Sequence, residues 1–362
     1  MLFGLNESTT IVAVDPMYVP KHLSESFEGI AALGNMQAEK LYEEVINIQG
    51  AYAAKLQRGL SSGRLQEACE EVLQEGVVGN FFAKVKEMFK KLWAAIRALF
   101  DKFMAWIDSK FKSDKDFLAK YKEILNKKAS EVSNMSYKGH EWGDFEEKEA
   151  EKISKVVEKA EKETEKITIL PNGVTMISIS SETNKEQTKK DQTGEEKFDN
   201  MYNDAKKKPK EDGSDREAKI DALMKELSVE LKVSPSSDVS DIVDEYRENL
   251  YGGSTESVEL TGPDVKALMK VVENYSKHKS AAEQLRNKVD RSYSNIIRKY
   301  EKLDRDLNKE TTDVNMSAST IVAMAKAAAT LTNQCAGVYL TALKDRRDEA
   351  RSILAKVVTY KK

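Results

Sequence analysis

Cysteine, histidine and proline are scarce in this chain. Its 362 residues include 2 cysteines, 3 histidines and 6 prolines. Cys69 and Cys335 lie far apart within helical patterns, so the sequence excludes a disulfide framework. His22, His140 and His278 each lack a second His or Cys at metal-ligand spacing. We therefore expect no metal site.

Catalytic, secretory and membrane-spanning signals are missing as well. There is no glycine-rich phosphate loop, and neither cysteine has a histidine partner nearby in sequence. This favours a protein that is not an enzyme, with no cofactor and no small-molecule substrate. The segment Met1–Glu7 lacks the basic start of a signal peptide. The longest near-apolar run, Met316–Leu340, is interrupted by Lys326, so we expect no transmembrane helix and a soluble chain.

Charged residues and helix formers are abundant instead. One third of the residues are charged, and Ala, Glu, Lys and Leu are frequent. This composition predicts a mainly α fold of elongated helical hairpins or a coiled-coil bundle. The only β signal is Ile167–Leu170 and Val174–Ile179 around an Asn-Gly turn, which predicts one small β-hairpin.

The pattern along the chain predicts four regions. Residues 1–75 form an acidic helical segment, and residues 76–182 hold an amphipathic helical hairpin, a charged helix and the β-hairpin. The hairpin's second helix is expected from Lys115 to Lys128. Residues 183–216 are polar and predict a flexible linker. Its Lys206–Lys210 run is the one candidate for binding nucleic acid, but the acidic residues that follow favour a solvated run of charges. Residues 217–362 predict a domain of long antiparallel helices, with one helix from Thr261 to Asn308 and a last one from Ala318 to Tyr360.

The sign of the charge reverses between Glu75 and Gly76. Residues 1–75 hold 5 basic and 11 acidic residues, whereas residues 76–112 hold 8 basic and 3 acidic ones. Within Gly76–Phe111, large apolar residues recur at alternating steps of three and four, which is the spacing of a coiled-coil seam. We expect the following side chains of this interaction helix to need a cover: Phe82, Phe89, Leu92, Trp93, Ile96, Phe103 and Trp106.

Two interpretations of this helix remain open. Aromatic residues on one side and lysines around the other are typical of helices that lie on membranes. The regular spacing is equally typical of the core helix of a bundle, whose lysines face water. The acidic residues 1–75 are a candidate cover in either case.

Four tripeptides in the first 76 residues share one pattern: Leu, any residue and Glu, followed by a small residue. They are Leu5-Asn6-Glu7, Leu23-Ser24-Glu25, Leu65-Gln66-Glu67 and Leu73-Gln74-Glu75. About one chance match is expected in a chain of this length. Coincidence in a Glu-rich helical region is the alternative explanation.

The chain resembles virion structural proteins of large contractile-tailed bacteriophages, whose head maturation protease cuts after such tripeptides. The resemblance rests on the tripeptides and on the helical style of residues 64–142, within which Phe103–Tyr121 is rich in Lys, Phe and Asp. It implies a virion protein inside the head, made in the host cytoplasm and cut at Glu75–Gly76. Its partners would be other virion proteins or further copies of itself. Membrane contact through residues 76–111, contact with DNA, and ejection together with the DNA are further possibilities. The alternatives are a membrane-active helical toxin or secreted effector, and a cytoplasmic coiled-coil adaptor.

Overall fold

The computed structural model describes residues 26–64, 67–68, 71–72, 75–132, 135–140, 142–143, 149–169, 175–177, 213–252, 256–307 and 318–360. In these residues the fold is mainly α, as predicted. The helices are α1 Phe27–Ser62, α2 Val77–Lys128, α3 Glu149–Glu165, α4 Gly213–Leu231, α5 Val239–Tyr251, α6 Gly262–Asn274, α7 Lys277–Leu307 and α8 Ala318–Thr359. The strands are β1 Ser136–Gly139, β2 Ile167–Ile169, β3 Thr175–Ile177 and β4 Glu256–Glu259.

Four helices surround the centre of the molecule. Helix α2 packs against α7 on one side and α8 on the other, and α3 packs against the same two helices from the opposite side. Helices α7 and α8 therefore face each other mainly across the core, where the hydroxyl of Tyr293 donates to Asn333 Oδ1 at 3.0 Å. Helix α1 is a fifth member that lies in the groove between α2 and α8.

Helix α2 corrects the predicted hairpin within residues 76–182. It runs for 52 residues without interruption, so no second helix begins at Lys115. The segment Lys112-Ser113-Asp114 before the predicted second helix is polar, but it contains neither Gly nor Pro to end a helix. The buried Asp114 is bound by Arg347 of α8, so its charge is satisfied inside the bundle.

The predicted long helix from Thr261 to Asn308 is also wrong in one respect. Its start is as expected, because Thr261 and Asp264 form a capping box and Pro263 lies in the first turn. The helix stops at Asn274, however, and α7 begins at Lys277 after a turn. That turn holds the Tyr275 ring against the Trp106 ring, at 6.0 Å between centroids. A contact from a distant helix fixes the break, and local sequence carries no sign of it.

Two small antiparallel strand pairs are present in the described residues, where one was predicted. The predicted hairpin pairs β2 with β3, with Ile167 opposite Ile177. The second pair joins β1 to β4, with Tyr137 opposite Val258. Both of its strands are short and mostly polar, and they come from distant parts of the chain. Such strands lack the alternating pattern by which a strand is recognised.

Two apolar cores run along the bundle. The main core holds most of α1, α2, α3, α7 and α8. The smaller second core lies beyond Asp114 on α2 and beyond Arg347 on α8, and β4 leads into it. Its buried members are Phe117, Leu118, Leu125, Ala129, Val132, Leu260, Val265, Met269, Val272, Ala350, Ile353, Leu354 and Val357. Asp114 and Arg347 therefore lie between the two cores.

Most of the predicted linker, including Lys206–Lys210, lies outside the described residues. Within those residues, no helix is both long and apolar enough to cross a bilayer.

Candidate processing turn and the groove beneath it

The predicted cut at Glu75–Gly76 falls in a turn that leads directly into α2. Glu75 and Gly76 are both exposed, and Glu75 forms an ion pair with Lys55 of α1. Gly76 has φ +64°, a left-handed conformation that glycine adopts without steric cost. The carbonyl of Gly76 then accepts from the amide of Asn80 at 2.9 Å, which opens the helix. Leu73 and Gln74 lie outside the described residues.

Of the other three tripeptides, the structure describes only the last residue of one, Glu67. Leu5-Asn6-Glu7 and Leu23-Ser24-Glu25 lie outside the described residues, as do Leu65 and Gln66. At Glu67–Ala68 the residue after the Glu is only 9% exposed. A protease must draw both sides of the cleaved bond into its active site, and exposed tips are the preferred places for a cut. Glu75–Gly76 is the better substrate of the two.

The residues predicted to form an interaction face are part of the main core. Phe82, Phe89 and Leu92 are fully buried, Ile96 and Phe103 are 1% exposed, and Trp93 and Trp106 are partly buried against the same core. Phe89 stacks on Tyr300 of α7 at 5.7 Å between ring centroids. Burial of each such side chain contributes roughly 1.5–3 kcal/mol before entropy is counted. The apolar face of α2 is therefore covered within the chain.

The cations of α2 meet acids from both flanking helices. Lys84 pairs with Glu44 of α1 at 2.8 Å. Lys90 lies 3.8 Å from Glu301 of α7, and Arg97 lies 3.9 Å from Asp290, which also accepts from the indole of Trp93 at 2.9 Å. These contacts fit the core-helix interpretation. The membrane interpretation needs the apolar face of α2 to be uncovered first.

A buried amide network joins α1 to the rest of the bundle, and the sequence analysis did not identify it. Asn35 is 8% exposed and donates to the carbonyl of Thr330 at 3.4 Å. Asn333, fully buried, donates to Asn35 Oδ1 at 3.3 Å and to the carbonyl of Leu92 at 3.4 Å. One amide on α8 therefore contacts both α1 and α2. The available signal was an Asn inside an Ala-rich apolar run, because such an Asn needs partners when buried.

Burial shifts the pKa of one cysteine and of one histidine in the described residues. Burial raises the pKa of the Cys335 thiol well above its ordinary value, which keeps it protonated and unreactive. Burial lowers the pKa of His278 from 6.5, and the charge of Arg346 adds to the effect. No group of three or more His, Cys, Asp or Glu side chains suited to a metal occurs in the described part of the chain.

A second histidine belongs to a polar-aromatic cluster beside β1. His140 faces Glu349 of α8 through both its backbone amide, at 2.9 Å, and its ring Nδ1, at 3.1 Å. Trp142 packs against the ring of Tyr251, 5.1 Å away, and the Tyr251 hydroxyl donates to Asp345 at 2.8 Å. These contacts tie the loop after β1 to α5 and α8.

Comparison with protein-family models, curated protein sequences and solved structures found no match.

Proposed function

We propose that this chain is a non-enzymatic structural protein of a tailed-phage virion, located inside the head and cut once between Glu75 and Gly76. The observation that carries the proposal is the position of this bond: an exposed turn between the acidic helix α1 and the core helix α2. Its tripeptide fits the head protease pattern, and its surroundings suit proteolysis.

The distribution of charge supports the same cut. The whole chain has a formal net charge of −3, and residues 1–75 alone carry −6. The remaining residues therefore carry +3. A cut at this bond divides the chain into an acidic piece and a weakly basic one, so the proposed cleavage point coincides with the boundary in charge. The protein acts by helix-mediated assembly with other virion proteins or with itself.

The first test is the N-terminus of the protein in purified mature particles. Intact-mass and terminal-peptide analysis should find a chain that begins at Gly76. If every copy begins at Met1, the proposed processing is wrong.

Three matched variants locate the cut in infected cells. Glu75→Gln removes the carboxylate that the protease pattern requires, and should abolish the Gly76 terminus. Glu71→Gln makes the same change at an exposed helical residue four positions earlier, outside any tripeptide, and should leave processing intact. Glu67→Gln tests the neighbouring tripeptide. Equal processing of the Glu75 and Glu71 variants would contradict a cut specified by Leu73-Gln74-Glu75.

A further inference from the structure

Helix α1 approaches both walls of its groove more closely than ordinary side chains allow. A Cβ atom placed on Gly34 would overlap the Cβ of Ala95 on α2. A Cβ placed on Gly337 of α8 would lie 3.2 Å from the Cα of Glu28. Gly34 of α1 therefore lies close against α2, and Gly337 of α8 lies close against α1. The groove is therefore fitted to this helix along both of its walls.

The inner face of α1 is apolar and fully engaged. In addition to the Asn35 amide, its buried side chains are Phe27, Ala31, Ala38, Leu41, Tyr42, Val45 and Tyr52. The Phe27 ring meets Phe103 edge to face, at 5.6 Å between centroids. None of these contacts depends on the peptide bond at Glu75–Gly76. A cut there removes the tether but leaves the interface unchanged.

The outer edges of α1 carry acids that match cations on three other helices. Glu44 pairs with Lys84 on α2, Glu39 with Lys326 on α8, and Glu28 with Arg247 on α5, at 2.7 Å for the last pair. These pairs are partly exposed, so they orient the helix more than they hold it. The groove therefore matches an acidic helix that has glycine at position 34 and apolar side chains along the rest of its inner face.

We propose that the α2/α8 groove is a binding site for a separate chain, and that its ligand is α1 itself after the backbone has been cut. The inference depends on the proposed function only for where the natural cut occurs. Processing then cuts the backbone without releasing the N-terminal fragment, and the acidic helix stays in the particle as a non-covalent subunit. The core helix α2 remains covered after maturation.

The test uses the full chain with an engineered cut. Residues 70–76 are replaced by the recognition sequence of an unrelated sequence-specific protease, and the folded protein is cut to completion. Size-exclusion chromatography of the cut sample, with mass spectrometry of each peak, should find both fragments together in native buffer. They should separate only in denaturant. Elution of the N-terminal fragment alone in native buffer would overturn the proposal.

A pair of glycine variants shows whether the groove is responsible. Gly34→Leu places a side chain against Ala95, whereas a side chain at Gly50, on the same helix, meets nothing within 4 Å. After the cut, the Gly34→Leu fragment should dissociate at least tenfold more readily on dilution, and the Gly50→Leu fragment should stay bound. Equal retention of the two would contradict the proposal.

A second pair covers the case in which Gly34→Leu fails to fold. Glu44→Lys faces Lys84, while Glu43→Lys makes the same charge change on the exposed neighbouring position. Only Glu44→Lys should speed release of the cut fragment, and most strongly at low salt. Identical release rates would count against the charge match.

The two proposals fail separately. If chains in mature particles begin only at Met1, the natural processing is wrong, although the groove can still retain an engineered fragment. If the engineered fragment leaves, the retention is wrong and natural processing stands. A Gly76 terminus together with peptides from residues 27–62 at the same abundance as peptides from residues 77–128 in mature particles would agree with both.

Discussion

Asp114 is the residue whose environment differs most from its sequence context. Its side chain is 2% exposed, in a helix segment rich in lysine. Its Oδ2 accepts from Arg347 Nε at 2.7 Å, its Oδ1 accepts from Arg347 Nη2, and Arg351 Nε lies 3.4 Å from Oδ1. Arg347 is 7% exposed and also faces the Trp106 ring. The Asp114 carboxylate therefore contacts two guanidinium groups, and Arg347 has a second acidic partner in Asp348.

We expect Asp114→Asn to destabilise the protein by up to about 3–5 kcal/mol, because it breaks a buried charge pair on one side and leaves Arg347 only its more exposed partner Asp348. Urea denaturation followed by circular dichroism measures the loss. Asp116→Asn is the matched control, since Asp116 is exposed two positions further along α2. An equal, small loss for both variants would mean that the Arg347 contact does not stabilise the fold.

At the residue scale, sequence predicted the candidate site in part. Leu73-Gln74-Glu75 and the Gly after it could be singled out because the proposed cleavage pattern is a linear one; cleavage there stays a prediction. The exposure of Gly76 and the burial of Ala68 were not, because both depend on what α1 and α2 leave uncovered. The role of Gly34 was also hidden. A glycine within a helical pattern signals a close approach but does not identify the partner.

At the element scale, the helices were predictable where their apolar residues keep a strict period, as in α8 and in the part of α2 before residue 112. Their ends were predictable where glycine or a capping residue marks them, as at Gly63, Gly252 and Thr261. The errors in the predicted helix bounds lie where a contact with a distant helix accompanies the continuation or the end of a helix. Asp114 continues α2 because Arg347, 233 positions away, binds it, and Tyr275 ends α6 beside Trp106. Local sequence contains neither partner.

The continuity of α2 is directly testable by distance. Asn80 and Asn126 are exposed near the two ends of the helix and accept dyes after replacement by Cys, with Cys69 and Cys335 changed to Ala. At a rise of about 1.5 Å per residue, one straight helix separates them by about 69 Å. A hairpin that turns at residues 112–114 would place them about 30 Å apart. Single-molecule energy transfer should therefore be low, and high transfer would restore the hairpin.

At the scale of the whole molecule, a charged layer divides one bundle into two cores. Helices α2 and α8 pass through both cores, and Asp114, Arg347 and Arg351 lie where they cross from one to the other. A buried ion pair contributes less to stability than apolar packing of the same volume, because both charges lose their water. The layer is therefore a weak joint in a continuous rod. The smaller second core buries fewer apolar side chains than the main core, so less apolar packing holds its helices together.

We expect the second core to open on its own, at a lower free energy than the main core, since local stability follows buried apolar contact. In hydrogen exchange read by mass spectrometry, amides of α6 from Val265 to Val272 should exchange faster than amides of α2 from Val85 to Phe103.

Replacing the charged layer by apolar side chains should join the two cores and remove this difference in exchange rate. Asp114→Leu with Arg347→Met replaces the pair by apolar side chains, a change that is neutral or stabilising by about 1–4 kcal/mol in comparable cases. Slower exchange in α6, with α2 unchanged, would identify the charged layer as the joint. Exchange that is equal in both cores of the unaltered protein would mean that the rod opens only as a whole.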